Sequence, residues 1–334
     1  MIISKTPYRI SFFGGGTDYP SWYTKFGGEV VSTTIDRYLY LTCSELPNFF
    51  GNKYRIVYSK IELTNKINNI QHLVVKKLFQ KFKFKQGIEL HYVGDLPAQS
   101  GMGSSSCFIV GCMNLLHNFN NNNISKKQLG LESLNFEQKT LKEIVGSQDQ
   151  IAAAYGGFNS IKFYKNKKFK VTKVNISEKN KKTLNSRLLL LYTGNQRRAH
   201  DIANSYVGGL AKDKIYEMKK LQEFTTKAKN YLKVGSIDDF GDLLNESWHL
   251  KKKLGKKISS EFIDNIYEKA LKSGSLGGKI LGAGGGGFFL FYVNEENLEK
   301  FMKTFSNFEI IRFNFENEGS KIIFNNDENN KLIK

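Results

Sequence analysis

The stretch that decides the fold is Pro97-Ala98-Gln99-Ser100-Gly101-Met102-Gly103-Ser104-Ser105-Ser106. It separates a run of strand-forming residues, Gly87 to Val93, from an apolar segment with helical spacing that extends to His117. A helix N-terminus presents free N–H groups and a positive dipole end, and Gly101 and Gly103 remove side chains that would keep a ligand away. An ordinary helix start explains one serine, whereas two glycines and three serines together favour a phosphate-binding loop. A conventional P-loop is excluded, because the sequence contains no G-x-x-x-x-G-K-[ST] motif.

A second glycine-rich loop, Gly14-Gly15-Gly16-Thr17-Asp18, follows a predicted strand from Ile2 to Phe13 that contains Arg9. Three successive glycines let the backbone approach a ligand closely. Arg9 and Asp18 flank them and offer a fixed cation and a carboxylate that can bind hydroxyl groups. A hairpin turn with a solvent-facing Asp18 explains the same residues equally well, so both interpretations stay open on these residues alone.

A third loop, Gly282-Ala283-Gly284-Gly285-Gly286-Gly287, satisfies G-x-G-x-x-G literally. A dinucleotide site needs a helix after the glycines, but Phe288 to Val293 has the composition of a strand. The oxidoreductase interpretation therefore fails on context. What remains is a glycine-lined turn between two strands that closes over the ligand of another loop.

Two acidic residues are candidates for chemistry. Asp149 lies in Gly146-Ser147-Gln148-Asp149-Gln150, just ahead of the small apolar run Ile151 to Ala154, and Glu137 precedes it on the previous predicted helix. A single acidic residue is usually a solvated surface charge. On their own, these two residues carry no functional argument.

Length and composition predict two packed domains of mixed α+β structure. The 334 residues exceed what one core usually serves, and 40% of them are hydrophobic. The polar run Ser177 to Asn185 is the predicted boundary, between a domain at residues 1–180 and one at 186–334. No run approaches the roughly 18 apolar residues of a membrane span, so no membrane partner is expected. The three cysteines fit no complete disulfide set, which favours a cytoplasmic location.

The net charge of +19 raises the question of nucleic acid. However, only seven of the 50 basic residues are arginines, and the lysines are scattered among many asparagines. Such a bias is typical of a solvated surface, and an anionic small molecule is the better use of the positive field. We therefore expect no nucleic-acid partner. A basic nucleic-acid-binding protein and a catalytically inactive nucleotide-binding module remain the alternatives from other classes.

In order and spacing, the three glycine-rich loops resemble the motifs of the GHMP kinases, which include galactokinase and mevalonate kinase. Thr6-Pro7-Tyr8-Arg9 with the Gly14 to Asp18 loop resembles the first, substrate-side motif. The Pro97 to Ser106 loop resembles the second, ATP-phosphate motif, and Lys279 to Gly287 resembles the third. The resemblance implies a two-domain α+β fold, with an N-terminal domain like ribosomal protein S5 domain 2 and a ferredoxin-like C-terminal domain. It places the active site between the two domains.

The resemblance also implies roles for single residues, with ATP and Mg²⁺ as cofactors. Asp149 matches the catalytic carboxylate, and Arg9 matches the basic residue near the transferred phosphoryl group. Ser105 and Glu137 match the magnesium ligands. The implied ATP-binding residues are Pro97, Ser100, Gly101, Met102, Gly103, Ser104, Ser105 and Ser106. The implied substrate-binding residues are Gly15, Gly16, Thr17, Asp18, Arg197, Arg198, Gly284 and Gly285.

Within the family, the sequence is similar to the sugar kinases. Galactokinases carry Glu-His where this chain has Gly15-Gly16, which disfavours galactose. The triple glycine, Thr193 to Ala199 and Ser247 to Lys252 resemble D-glycero-D-manno-heptose 7-phosphate kinases, which phosphorylate the anomeric hydroxyl on the way to nucleotide-activated heptose for surface polysaccharides. L-Fucokinases share parts of this pattern and remain an alternative.

The adjacent arginines Arg197 and Arg198 favour an acceptor that already carries a phosphate. Arginine suits bidentate phosphate contacts better than lysine, so the use of two arginines in a lysine-dominated chain suggests a geometric need. An exposed pair at the start of a helix is the plainer explanation of the same two residues.

Overall fold

The computed structural model describes residues 1–194 and 199–326, without the side chains of Ala199 and His200. The strands are β1 (Ile2–Phe13), β2 (Gly28–Glu45), β3 (Tyr54–Val57), β4 (Ile61–Thr64), β5 (Ile88–Gly94), β6 (Asn159–Phe163), β7 (Phe169–Lys173), β8 (Leu188–Tyr192), β9 (Ser275–Ile280), β10 (Phe288–Val293), β11 (Ile310–Ile311), β12 (Phe315–Glu316) and β13 (Lys321–Asn325). The α-helices are α1 (Pro20–Phe26), α2 (Leu73–Phe82), α3 (Ser104–Phe119), α4 (Lys126–Asn135), α5 (Gln148–Tyr155), α6 (Glu178–Arg187), α7 (Ala199–Asn204), α8 (Ile215–Val234), α9 (Ile237–Lys252), α10 (Glu261–Lys272) and α11 (Glu295–Thr304). A π-helical turn, Phe136–Thr140, directly continues α4.

Nine strands of the described residues form the first sheet, whose main path runs β13-β1-β2-β5-β3-β4. The long strand β2 also pairs with β6 and β12, and β7 pairs with β6. The pairing is antiparallel except between β3 and β5. Helices α3 and α5 pack against β1 and β2 and cover one face. This packing brings the N-termini of both helices to the end of β1.

The second sheet has the strand order β11-β8-β10-β9 and is antiparallel. One of its two central strands, Phe288–Val293, is buried at every position, as expected for a strand with both faces covered. Trp248 of α9 is fully buried and packs its ring against Tyr267 and Phe289. Helix α9 is thereby held against β9 and β10, with its last turn directed at the loop between these strands.

The run Ser177 to Asn185, at which the domain boundary is predicted, forms most of α6. Ser177 caps this helix by accepting from the Asn180 N–H, and Leu184 is buried. Strands β11 and β12 follow each other closely in the chain but join different sheets. The division into 1–180 and 186–334 stays a prediction, and β12 and β13 return the end of the chain to the first sheet.

None of the helices within the described ranges is both long and apolar enough to cross a membrane. All three cysteine side chains are buried and free.

Candidate active site

A cleft of about 620 Å³ lies where the three glycine-rich loops meet. The end of β1, the N-terminus of α3, the N-terminus of α5 and the loop between β9 and β10 all contribute to its walls. Titratable side chains of both signs converge there, among them Arg9, Asp18 and Asp149. The cleft therefore joins parts of the chain that are far apart in sequence.

The third loop packs directly on the second, and glycine is required on both sides of the contact. A Cβ on Gly101 would lie 2.5 Å from the Leu281 carbonyl oxygen, and a Cβ on Gly282 would lie 2.7 Å from the Gly101 Cα. Both glycines also have positive φ, which L side chains rarely adopt. The Phe288 N–H donates to the Ser100 carbonyl oxygen at 3.1 Å and fixes the register of the two loops. The third loop therefore lies directly against the second loop, and its closing over a ligand of that loop stays a prediction.

The N-terminus of α3 opens into the cleft. Gly103 precedes the helix in a left-handed conformation, with φ 77°, and no side chain caps the first turn. Ser104, Ser105 and Ser106, whose backbone N–H groups have no partner within a helix, line the cleft. A 16-residue helix with an open first turn is suited to hold an anion such as a phosphate.

Arg9 and Asp149 form a two-point ion pair in the wall of the cleft. The Arg9 Nε donates to Asp149 Oδ1 and Nη2 donates to Oδ2, both at 2.7 Å, while Nη1 donates to the Gly101 carbonyl oxygen at 2.8 Å. Burial acts to lower the pKa of Arg9, but the Asp149 carboxylate outweighs it and raises that pKa. Arg9 therefore stays charged, and the pair links β1, the second loop and α5.

Glu137 lies at the buried end of the cleft, on the π-helical turn after α4. Its Oε2 accepts from Ser106 Oγ at 2.8 Å and from Gln150 Nε2 at 2.5 Å. Burial raises the pKa of Glu137 to about 7, although these hydrogen bonds oppose the shift. A cation beside Glu137 would restore the ionised form.

The donor set fits Mg²⁺, which usually takes one or two carboxylates, with water and substrate phosphates as its other ligands. Glu137 supplies a carboxylate, Ser105 is an exposed hydroxyl of the first turn of α3, and both line the cleft. Across residues 1–194 and 199–326, no group of three or more His, Cys, Asp or Glu side chains forms a metal site made of protein ligands alone. A metal at Glu137 would therefore depend on oxygen ligands from a bound substrate.

Asp18 is also buried in the wall of the cleft. The Gly16 N–H donates to its Oδ1 at 3.0 Å, and the Gln148 N–H donates to its Oδ2 at 3.3 Å. Burial, with the neighbouring Asp149 charge, raises the pKa of Asp18 to about 6. A Cβ on Gly146 would lie 1.9 Å from Asp18 Oδ2, so the glycine before α5 makes room for this carboxylate. The hairpin with a solvent-facing Asp18 is excluded.

Two lysines in the cleft were missed by the sequence analysis. Lys251, on the last turn of α9, and Lys279, on β9, line the cleft with exposed fractions of 9% and 4%. Each lies in a segment that resembles the GHMP kinases, but in so lysine-rich a chain a single lysine does not indicate a functional role. The neighbouring buried Trp248 is the one local hint that this face of α9 is turned inward.

The structure brings most of the predicted site residues into one cleft. The predicted residues that line it are Arg9, Gly15, Gly16, Asp18, Gly101, Gly103, Ser104, Ser105, Ser106, Glu137 and Asp149. The predicted residues that do not line it are Thr17, Pro97, Ser100, Met102, Gly284 and Gly285. Arg197 and Arg198 lie outside the described residues.

The packing residues still shape the loops. Thr17 Oγ1 donates to the Gly14 and Glu29 carbonyl oxygens and closes the first loop. The Met102 carbonyl oxygen accepts from the Arg9 N–H at 3.3 Å. The Gly285 N–H donates to the Ile258 carbonyl oxygen at 2.8 Å, which anchors the third loop beyond the cleft.

Comparison with known proteins assigns both halves of the chain to one family. Residues 68–157 match "GHMP kinases N terminal domain", and residues 228–308 match "GHMP kinases C terminal". A D-glycero-alpha-D-manno-heptose 7-phosphate kinase from Campylobacter jejuni is 29% identical, over 96% of this chain and 98% of that protein. The bifunctional fucokinase/GDP-fucose pyrophosphorylase of Arabidopsis thaliana is 27% identical, over 88% of this chain and 30% of that protein.

Solved structures agree with the fold. A D-glycero-D-manno-heptose 1-phosphate kinase from Bacteriodes thetaiotaomicron superimposes with a TM-score of 0.80 at 22% identity, covering 97% of this chain and 99% of that one. A putative sugar kinase from Campylobacter jejuni has a TM-score of 0.73 at 25% identity, covering 96% and 97%. The predicted two-domain α+β kinase fold is confirmed.

Proposed function

Because this chain belongs to the GHMP kinase family, we propose that it is an ATP-dependent sugar kinase acting on D-glycero-α-D-manno-heptose 7-phosphate. The reaction would transfer the terminal phosphate of ATP to the anomeric hydroxyl and give the 1,7-bisphosphate. The observation that carries this substrate is the 29% identity, over nearly the full length of both chains, to a heptose 7-phosphate kinase. The product would serve nucleotide-activated heptose and surface polysaccharide synthesis.

The second loop and α3 would hold the ATP phosphates. Gly101 and Gly103 let the backbone approach the phosphate oxygens, and the N–H groups at Ser104 to Ser106 face the same space. The third loop supports this cradle from behind through the contact between Gly282 and Gly101. In phosphoryl transfer such positioning matters more than covalent help from the protein.

Glu137 and Ser105 would hold Mg²⁺ together with oxygens of the nucleotide. When bound, the metal neutralises the charge that develops on the phosphates. Ser106 and Gln150 both donate to Glu137 Oε2 and so fix the direction of its carboxylate. They act as positioning residues for this group.

Asp149 would accept the proton of the anomeric hydroxyl or orient the attacking oxygen. Its two oxygens each accept one bond from Arg9, and each retains a further lone pair for the sugar. An anomeric hydroxyl is more acidic than an ordinary alcohol, so a carboxylate is a suitable partner. Arg9 uses three of its five N–H groups on Asp149 and Gly101, which leaves two for the phosphoryl group in transit.

The first loop would bind the sugar. Gly15 and Gly16 leave the cleft open above Asp18, whose carboxylate can accept from sugar hydroxyls. Arg197 and Arg198 would bind the 7-phosphate, and that role stays a prediction. A coupled assay that compares kcat/KM for heptose 7-phosphate, the dephosphorylated heptose and L-fucose tests the proposal.

The L-fucokinase relative supports a second candidate, a kinase of a free sugar. Both candidates phosphorylate an anomeric hydroxyl and differ in whether the acceptor already carries a phosphate. The same assay separates them: a kcat/KM for L-fucose that equals or exceeds the value for heptose 7-phosphate favours the second candidate.

A further inference from the structure

Two buried lysine side chains, Lys251 and Lys279, line the cleft. Lys279 Nζ donates to the Phe12 carbonyl oxygen at 2.7 Å. Lys251 Nζ donates to the Ile280 and Gly282 carbonyl oxygens at 3.0 and 2.7 Å. No carboxylate of the described residues forms an ion pair with either ammonium, in contrast to Arg9 with Asp149.

The two ammonium groups retain donors for a ligand. An ammonium has three N–H donors, so Lys279 keeps two and Lys251 keeps one after their bonds to the backbone. Both side chains line the cleft, which gives the remaining donors a space that a ligand can enter. The backbone carbonyls fix the position of each nitrogen atom before any ligand arrives.

The buried basic side chains of this region also favour the binding of an anion. Burying an unpaired cation is costly, and burial lowers the pKa of Lys279 to about 7, with Arg9 adding to the effect and Asp18 opposing it. Burial lowers the pKa of Lys251 as well, with Lys279 and Arg9 as further causes. Asp149 pairs directly with Arg9, whereas Asp18 acts on Lys279 without a direct ion pair. A bound phosphate would place negative charge beside both lysines and favour their protonated forms.

We propose that Lys251 and Lys279 form a phosphate-binding pair that contacts the terminal phosphate of ATP during its transfer. The position of Lys251 supports ATP as the source of this phosphate, because its hydrogen-bond partner Gly282 packs on Gly101 of the second loop. Lys279 in turn is tied to Phe12, two residues before the first loop, on the side of the sugar. The pair would thus bridge the ATP side and the acceptor side of the cleft. This inference rests on the proposed function in one respect, namely that the bound phosphate belongs to ATP.

The test measures tripolyphosphate binding by calorimetry, without a sugar, for the wild type and for Lys251→Gln and Lys279→Gln. Glutamine removes the charge and keeps an N–H donor for the backbone carbonyls. Lys252→Gln is the matched control, because Lys252 is on the same helix and pairs with Asp264 at 2.8 Å. Charge-assisted hydrogen bonds contribute about 1.5–3 kcal/mol, so each substitution should weaken tripolyphosphate binding by about 10- to 150-fold. The control should bind it like the wild type.

Each lysine is tested on its own, so one folded variant is sufficient for the test. Lys251→Met or Lys279→Met replaces a glutamine variant that does not fold. Tripolyphosphate affinity equal to the control in the folded variants would overturn the proposal. A raised KM for heptose 7-phosphate with unchanged tripolyphosphate affinity would also overturn it, and would assign the pair to the phosphate of the acceptor. A wild-type protein that binds tripolyphosphate through both lysines but phosphorylates no sugar would contradict the proposed function and leave the pair supported.

Discussion

Arg9 and Asp149, 140 residues apart in the sequence, face each other through two parallel hydrogen bonds of 2.7 Å. Arg9 comes from a buried strand and Asp149 from the first turn of α5, where the helix dipole favours a negative charge. The fixed planar geometry of a guanidinium suits such a two-point contact and holds the carboxylate in one orientation. The pair therefore holds a carboxylate and a cation in fixed positions, as the proposed reaction requires for its hydroxyl and its phosphoryl group.

Asp149→Asn should lower kcat by about 10²–10⁴-fold, the usual cost of losing a general base. Asparagine keeps the shape of the side chain but cannot accept a proton, and it loses the charge that faces Arg9. Steady-state kinetics at saturating ATP measure the effect, and circular dichroism verifies the fold of the variant. A folded variant with near-normal kcat would limit Asp149 to a structural role.

Ser105→Ala and Glu137→Gln should each raise the Mg²⁺ concentration needed for half-maximal activity, because each removes an oxygen ligand from a hard cation. Nucleotide binding without metal should change less. Ser106→Ala is an informative comparison, since Ser106 donates to Glu137 at 2.8 Å and is buried. If the Ser106 variant shifts the Mg²⁺ titration and the Ser105 variant does not, the assignment of Ser105 is wrong.

The pKa of Glu137 predicts how stability depends on pH in the absence of metal. The folded protein keeps the Glu137 proton up to a pKa of about 7, whereas the unfolded chain releases it near the ordinary value of 4.5. Raising the pH across this window therefore destabilises the folded state, by up to about 3 kcal/mol. Glu137→Gln should reduce this slope, because glutamine does not titrate and its carbonyl oxygen can still accept from Ser106 and Gln150. Asp18, whose pKa of about 6 lies in the same window, keeps part of the slope in both proteins.

Denaturant unfolding at several pH values between 4.5 and 7, with a chelator present, measures this effect. Glu132→Gln is the control: Lys81 and His117 lower the pKa of Glu132 against the effect of burial, so its titration falls below the window. The control should keep the wild-type slope. An unchanged slope in Glu137→Gln would show that Glu137 is ionised throughout the window.

Gly101→Ala should lower both the melting temperature and kcat/KM for ATP. Left-handed backbone costs an alanine about 1–2 kcal/mol, and here its Cβ would also lie 2.5 Å from the Leu281 carbonyl oxygen. Gly51→Ala measures the backbone cost alone, because Gly51 has a similar φ of +75° and nothing lies within 4 Å of the added Cβ. Differential scanning calorimetry should therefore show a larger decrease in melting temperature for Gly101→Ala than for Gly51→Ala. Equal losses in the two variants would mean that the two loops separate without cost.

Much of the fold was predictable from the sequence, because periodicity and capping residues act locally. The predicted strands at Ile2 to Phe13 and Phe288 to Val293 form as β1 and β10. The helix within the polar run before β8 was not predicted, because only one of its residues, Leu184, is buried and its start depends on the cap by Ser177. The return of β13 to β1 depends on a distant edge of the sheet, which no local pattern reveals.

The site was predictable only in part, for a physical reason. Glycine loops are visible because glycine is needed at positive φ and at close contacts, as at Gly101 and Gly282. Burial of a charge depends on the packing of other elements, so the sequence around Lys279 does not separate it from the surface lysines, and near Lys251 only Trp248 hints at burial. The choice of Ser106 as the partner of Glu137 depends on how α3 is rotated against the π-helical turn.

Phosphorus NMR of the reaction with ATP and D-glycero-α-D-manno-heptose 7-phosphate tests the central claim most directly. We expect ADP, a retained 7-phosphate resonance and a new resonance of a phosphate on the anomeric carbon, with a kcat/KM well above that for the dephosphorylated heptose. Asp149→Asn should form this product at a strongly reduced rate. Absence of the new anomeric phosphate, or an equal kcat/KM for free L-fucose, would contradict the account.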